Sequence, residues 1–144
     1  MPFLANFTDL RIGETGRIFE GYKFGNVHIS MFITDAIPGS GPDLHFHPYE
    51  EVFVIIEGTA TFTIADQTVV ANSGDILLAP ANTPHKFVNS GEGQLSTINI
   101  HPMNVSYRKR LSSDYFLFYS RKYLLIYGGN CFYDYVAAIM TLRQ

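Results

Sequence analysis

The 144-residue sequence contains one cysteine, few basic residues and no long uncharged apolar run. A single cysteine, Cys131, cannot form an intrachain disulfide, which excludes a disulfide-stapled secreted scaffold and makes the cytoplasm the expected location. Cys131 has no His beside it in the sequence and reads as a small buried hydrophobe rather than a nucleophile. With ten Lys and Arg and a net charge of −3, the chain lacks the basic face with which a general nucleic-acid binder neutralises phosphates, so no nucleic-acid partner is expected. No uncharged stretch reaches the roughly 20 apolar residues of a membrane-spanning helix. Met1, Pro2, Phe3 and Leu4 also lack the basic-then-apolar pattern of a signal peptide, so a soluble protein with no membrane partner is expected. Apolar residues are plentiful: at 47% of the sequence they suffice for one real core, in a length that suits one domain.

Helical periodicity is also missing between Gly16 and His101, where short β-type runs alternate with Gly, Pro, Asn and Asp. Val27, Ile29, Met31 and Ile33 alternate with His28, Ser30, Phe32 and Thr34, the period of two that places successive side chains on opposite faces of a strand. Further runs follow at 51–57, 59–64, 68–71, 75–78, 85–88 and 95–101, a spacing that predicts an all-β sandwich or barrel. Residues 37–42 contain two Pro and two Gly and read as a loop. The run Val52, Phe53, Val54, Ile55, Ile56 is apolar on both faces of a strand. One face belongs to the barrel interior, and the other needs a cover, most simply a second copy of the chain in a homodimer.

After His101 the composition changes. Residues 1–101 carry four Lys and Arg against eleven Asp and Glu, whereas 102–144 carry six against two. The latter segment is also rich in aromatics, with strand propensity at 115–119 and 123–127 and a short helix expected at 136–142.

The chemistry concentrates in two stretches. In extended chain, His45 and His47 point to the same side, so both imidazoles can reach one ion. Glu51 follows four residues later, and a turn at Pro48 brings its carboxylate to the same ion from the next strand. His85 opens a strand directly after a Pro-rich turn and is the expected fourth ligand. Imidazoles with a carboxylate suit Fe(II), Mn, Zn or Ni better than Ca or Mg, which prefer all-oxygen sets. Four protein ligands on an octahedral ion leave about two positions for water, dioxygen or substrate, the arrangement of a catalytic rather than a sealed structural site.

These stretches resemble the two motifs of the cupin superfamily. The first, G-x5-H-x-H-x3-E-x6-G, is matched by Gly39, His45, His47, Glu51 and Gly58. The second, G-x5-P-x-G-x2-H-x3-N, is matched by Gly74, Pro80, His85 and Asn89, with Asn82 where the motif has Gly. Asn tolerates the left-handed backbone that such a Gly provides. The resemblance implies a double-stranded β-helix, a jelly-roll barrel with the metal near its mouth, and carries over the ligand set His45, His47, Glu51 and His85. It covers roughly residues 10–101 and divides the chain into a barrel, 1–101, and a C-terminal extension, 102–144, which is not a separate domain.

Phe53 and Ile55 share strand parity with Glu51, and Phe87 shares it with His85. With His101 at the end of the last barrel strand, they are the candidates for lining a substrate pocket, although Phe53, Ile55 and Phe87 would serve equally as barrel core. His28 reads as a surface or hydrogen-bonded core residue, and Glu50 as a solvated or interface residue facing away from Glu51. The leading functional expectation is a metal-dependent dioxygenase, with Fe(II) or Mn(II), acting on a small organic molecule. The alternatives are a non-redox metal enzyme (isomerase, cyclase or hydrolase) and a non-enzymatic small-molecule binding module.

Overall fold

A computed structural model of the chain describes residues 3–13 and 15–103, and the backbone of 109–110. Among these residues the elements are β1 (Arg11–Ile12), β2 (Gly16–Glu20), β3 (Ser30–Ala36), β4 (His45–Phe46), β5 (Glu51–Glu57), β6 (Thr59–Ile64), β7 (Gln67–Asn72), β8 (Ile76–Ala79), β9 (His85–Asn89), β10 (Leu95–His101) and β11 (Lys109–Arg110). One turn of 3-10 helix, Gly21–Lys23, separates β2 from β3. The strands foreseen from 51 to 101 lie where the alternating runs place them. Val27, His28 and Ile29 instead precede β3 and are exposed. The strands and helix expected beyond residue 111, and Cys131, lie outside the described residues.

The strands form two antiparallel sheets, ordered β1-β2-β3-β10-β5-β8 and β11-β4-β9-β6-β7. Neighbours that are distant in sequence, such as β3 with β10 and β4 with β9, produce the crossovers of a jelly roll. The inward faces meet in a core of Phe53, Ile55, Phe62, Phe87 and Leu95 with Ala36, Ala60, Ala71 and Ala79. The rings of Phe53, Phe62 and Phe87 pack at centroid separations of 4.9, 5.2 and 6.1 Å, in edge-on and tilted arrangements that suit aromatic quadrupoles. A shift of register between Ser96 and Thr97 sets Ser96 against Glu57 but Thr97 against Ile55, leaving Ile56 as the extra residue of a bulge. Because the extra residue lies on β5, alternation along β10 is unbroken, and Leu95, Thr97, Asn99 and His101 point inward with Phe53 and Glu51.

The outer face of the larger sheet is apolar over four neighbouring strands. Val54 lies opposite Ile76 and Val52 opposite Leu78 on one side, while Ile98 and Ile100 continue the rows on the other. Ile33 and Met31 extend them onto β3. Ile56, Ile76 and Leu78 are exposed there, so this is the uncovered second face that the run 52–56 implies.

Beyond His101 the chain returns to the smaller sheet, where Lys109 and Arg110 of β11 pair with Phe46 and His45 of β4. The loop 37–42 is fastened to β9 by Gly39 N–H donating to the Asn89 carbonyl and Asn89 N–H donating to the Ser40 carbonyl, both at 2.8 Å. A Cβ on Gly41 would lie 2.0 Å from the Phe87 carbonyl oxygen, a backbone atom that cannot swing away. Gly41→Ala should therefore destabilise the fold by about 3 kcal/mol, measured by denaturant unfolding. An unchanged midpoint would show that the loop does not approach β9 this closely.

Candidate metal centre

The two sheets meet at a cluster of buried ionisable side chains. His45 opens β4 and lies directly opposite His85, the first residue of β9, so their side chains emerge from the smaller sheet side by side. Their ring centroids are 4.5 Å apart. His47 follows β4 in the connection to β5, and Glu51 opens β5 in the larger sheet. The carboxylate of one sheet thus faces the imidazoles of the other. One ligand atom from each of His45, His47, Glu51 and His85 lies within 4.8 Å of the other three, and all four residues are buried. The turn leading into β9 is tied to this group, because Asn82 N–H donates to the His47 carbonyl at 2.8 Å. Asn82 has a φ of 58°, the left-handed conformation expected for a residue standing in a glycine position.

Three backbone carbonyls set the direction of the imidazoles. Nδ1 of His45 donates to the Asp43 carbonyl at 2.7 Å, Nδ1 of His85 donates to the Thr83 carbonyl at 2.7 Å, and Nδ1 of His47 donates to the Tyr49 carbonyl. A carbonyl only accepts, so Nδ1 carries the proton and a neutral ring turns its Nε2 lone pair inward. Those lone pairs face a carboxylate oxygen: Glu51 Oε2 lies 2.8 Å from His47 Nε2, 3.0 Å from His85 Nε2 and 4.0 Å from His45 Nε2. Acceptors packed this closely in a buried site repel unless a cation sits among them. The donor set is three imidazole nitrogens and one carboxylate oxygen, so the cluster fits a single divalent transition-metal ion better than Ca or Mg. Burial by itself pushes the Glu51 carboxyl upward, but the imidazoles that surround it, His101 first and then His47 and His85, outweigh it. The group is held well below the usual carboxylate range and is ionised at neutral pH.

Two further residues join the cluster. Tyr49 is buried and stacks on His47, with ring centroids 4.4 Å apart and planes inclined by 12°, and it gave no sequence signal beyond its place between His47 and Glu51. His101, a pocket candidate by sequence, is buried with Nε2 2.9 Å from Glu51 Oε1. The other pocket candidates fall elsewhere: Phe53 and Ile55 pack within the hydrophobic core, and Phe87 both packs there and lines a cleft of about 540 Å³ beside the loop 37–42. Phe32, Thr34, Ala36, Gly41 and Asn99 also line this cleft. Its inner residues neighbour the cluster: Asn99 and Phe87 lie two positions along their strands from His101 and His85, and the Phe32 ring meets His101 edge-on at 5.5 Å. His28 is exposed and outside the cluster.

Replacing one imidazole should empty the site while leaving the fold intact. His47→Ala is expected to lower the affinity for Mn(II) or Zn(II) at least a hundredfold, more than the loss of an outer hydrogen-bond partner costs. Metal analysis after dialysis, alongside a β-type circular dichroism spectrum, checks this. Full occupancy in the variant would remove His47 from the ligand set.

The match to known proteins follows the same boundaries. Residues 32–101 match the family model of the cupin domain. Auxin-binding protein 1 of Arabidopsis thaliana is 25% identical over 118 residues, covering 69% of this chain and 59% of that protein. An uncharacterized protein of Methanocaldococcus jannaschii is 29% identical over 92 residues, covering 60% of this chain and 74% of that protein. The oxalate decarboxylase of Bacillus subtilis, a protein with Mn(II) centres, aligns with a TM-score of 0.63 at 25% identity, over 69% of this chain and 29% of its own. The chain therefore spans under two thirds of the auxin-binding protein and under one third of the decarboxylase. A two-sheet jelly roll, an inward-facing His, His, Glu and His cluster and the family match over β3 to β10 agree, and residues 32–101 form a cupin domain.

Proposed function

We propose that this chain is a metal-dependent oxygenase that acts on a small, partly apolar organic molecule, using one Fe(II) or Mn(II) ion held by His45, His47, Glu51 and His85. The observation that carries this reading is the convergence of four buried ligand atoms within 4.8 Å, too few to saturate an octahedral ion. When bound, such an ion would supply exchangeable positions and redox chemistry toward an oxygen-bearing substrate and dioxygen. The chain's own residues contribute direction and dryness. The three carbonyl contacts to Nδ1 hold the imidazoles in one orientation, and the aromatic core beneath His85, with Phe53 at a centroid distance of 5.9 Å, excludes water from below.

The cleft supports the substrate class. Phe32, Ala36, Ile37, Pro42 and Phe87 give it an apolar wall, and no Lys or Arg is among its described lining residues. Asn99 Oδ1, which belongs to the lining, and the nearby Thr97 Oγ1 are buried without a hydrogen-bond partner among the described residues. A neutral molecule with an apolar body and a hydroxyl or amide donor satisfies such a wall better than a small dianion like oxalate, which distinguishes this site from that of the decarboxylase. A second reading, a non-enzymatic binding module, draws support from the likeness to a protein named for binding auxin. Zn or Ni as the resident ion would direct the site to isomerisation, cyclisation or hydrolysis.

The assembly we propose is a homodimer formed through the apolar outer face of the larger sheet. A cytoplasmic location agrees with a single cysteine. No helix among the described residues is long and apolar enough to cross a membrane.

Two measurements test these proposals. Protein loaded with Fe(II) should consume oxygen in the presence of at least one member of a panel of phenols, thiols and diketones, and His85→Ala should abolish that uptake. Absence of uptake across the panel, with the metal in place, would favour the binding module. For the assembly, light scattering after gel filtration should give twice the chain mass for the wild type and the single mass for Ile76→Glu combined with Leu78→Glu. A wild-type monomer would contradict the dimer.

A further inference from the structure

We propose that His101 is a positioning residue that holds the second oxygen of Glu51 and thereby keeps this carboxylate a one-oxygen ligand. The inference rests on the metal reading of the cluster and adds a fifth residue to it, one that touches Glu51 and not the ion.

The placement of His101 follows from strand register. Ile100 of β10 lies opposite Val52 of β5, so the next residue along, His101, comes opposite Glu51 on the inward face. On its other side His101 is paired with Ser30 of β3. The imidazole is fully buried, with the rings of His47, Phe32 and Tyr49 at centroid distances of 5.0, 5.5 and 5.5 Å, so it has little freedom to turn away.

The two oxygens of Glu51 have separate surroundings. Oε2 faces the Nε2 atoms of His47 and His85 at 2.8 and 3.0 Å, whereas Oε1 faces His101 Nε2 at 2.9 Å. His101 is not among the four residues whose ligand atoms lie within one 4.8 Å cluster. A carboxylate with both oxygens free can chelate a divalent ion and fill two positions. At this distance a small turn of the ring lets Nε2–H of His101 donate to Oε1, which occupies that oxygen and leaves Oε2 alone to bind, keeping one more position exchangeable. Such an outer contact also orients the ligand and strengthens metal binding, at a typical cost of about 10- to 100-fold in affinity when it is removed. The backbone carbonyls do this for the three imidazoles, and His101 does it for the carboxylate.

The test uses the full chain and Mn(II) alone, read by equilibrium titration and by electron paramagnetic resonance. Pulsed spectra of the wild type should count three coordinated imidazoles. His101→Leu removes the donor, and it should weaken Mn(II) binding about tenfold and change the zero-field splitting as Glu51 becomes chelating. His101→Gln restores an N–H at similar reach and should return both readouts to near the wild-type values, which a purely space-filling role would not predict. Four coordinated imidazoles in the wild type would make His101 a ligand and overturn the proposal, and that measurement stands even if the leucine variant fails to fold. A wild-type spectrum and affinity in His101→Leu would overturn it while leaving the metal centre standing. A wild type that takes up no Mn(II) at this cluster would bring down both.

Discussion

One buried carboxylate joins the two halves of this barrel. Glu51 opens a strand of the larger sheet and reaches the imidazoles of His45 and His85 from the smaller one, with His47 from the connection between them. Such a group is stable in the interior only if its charge is answered: one oxygen faces His101, and the other faces the Nε2 atoms of His47 and His85, among which a cation would answer it. The cluster therefore constrains both function and architecture. It requires β4, β5, β9 and β10 to deliver side chains to one point, and the registers His45 opposite His85 and Ile100 opposite Val52 accomplish this.

That convergence explains why so much of the site was legible in the sequence. His45 and His47 are separated by one residue, Glu51 follows a Pro turn, and His85 follows another, so local rules of strand parity and turn chemistry suffice to bring them into register. The strand runs from 51 to 101 were legible for the same reason. Three features depended on non-local facts. The inward direction of His101 follows from the pairing of β10 between β3 and β5, which turns its Leu95, Thr97, Asn99 and His101 face toward the core. The carbonyls of Asp43, Tyr49 and Thr83 belong to the backbone, which a sequence does not distinguish by chemistry. The division of inward aromatics between core and cleft depends on how far the loop 37–42 reaches over β9, so Phe53 and Ile55 pack in the core while Phe87 does both. The strand that begins at Ser30 rather than Val27 reflects the 3-10 turn at Gly21–Lys23 and the exposed segment after it, for which period-two alternation gave no warning.

The fold narrows function less than the site does, because one barrel hosts many reactions. In this chain the narrowing comes from what surrounds the cluster. The carbonyl-fixed imidazoles and ionised Glu51 favour a transition metal, and the adjoining cleft combines an apolar wall with a buried Asn99 oxygen that has no hydrogen-bond partner among the described residues. The first property is shared with many metal sites, whereas the second carries the proposed substrate class. The apolar outer face of the larger sheet is a separate feature, connected to the site only because β5 and β10 contribute to both faces.

The central claim is that one divalent ion lies among three imidazole nitrogens and a single oxygen of Glu51. Anomalous diffraction at the metal absorption edge, from crystals of protein loaded with one equivalent of Mn(II) or Fe(II), tests it most directly. One peak per chain is expected, in bonding contact with Nε2 of His45, His47 and His85 and with Oε2 of Glu51, and with His101 bonded to Oε1 rather than to the ion. A peak elsewhere, or no peak between the two sheets, would contradict it.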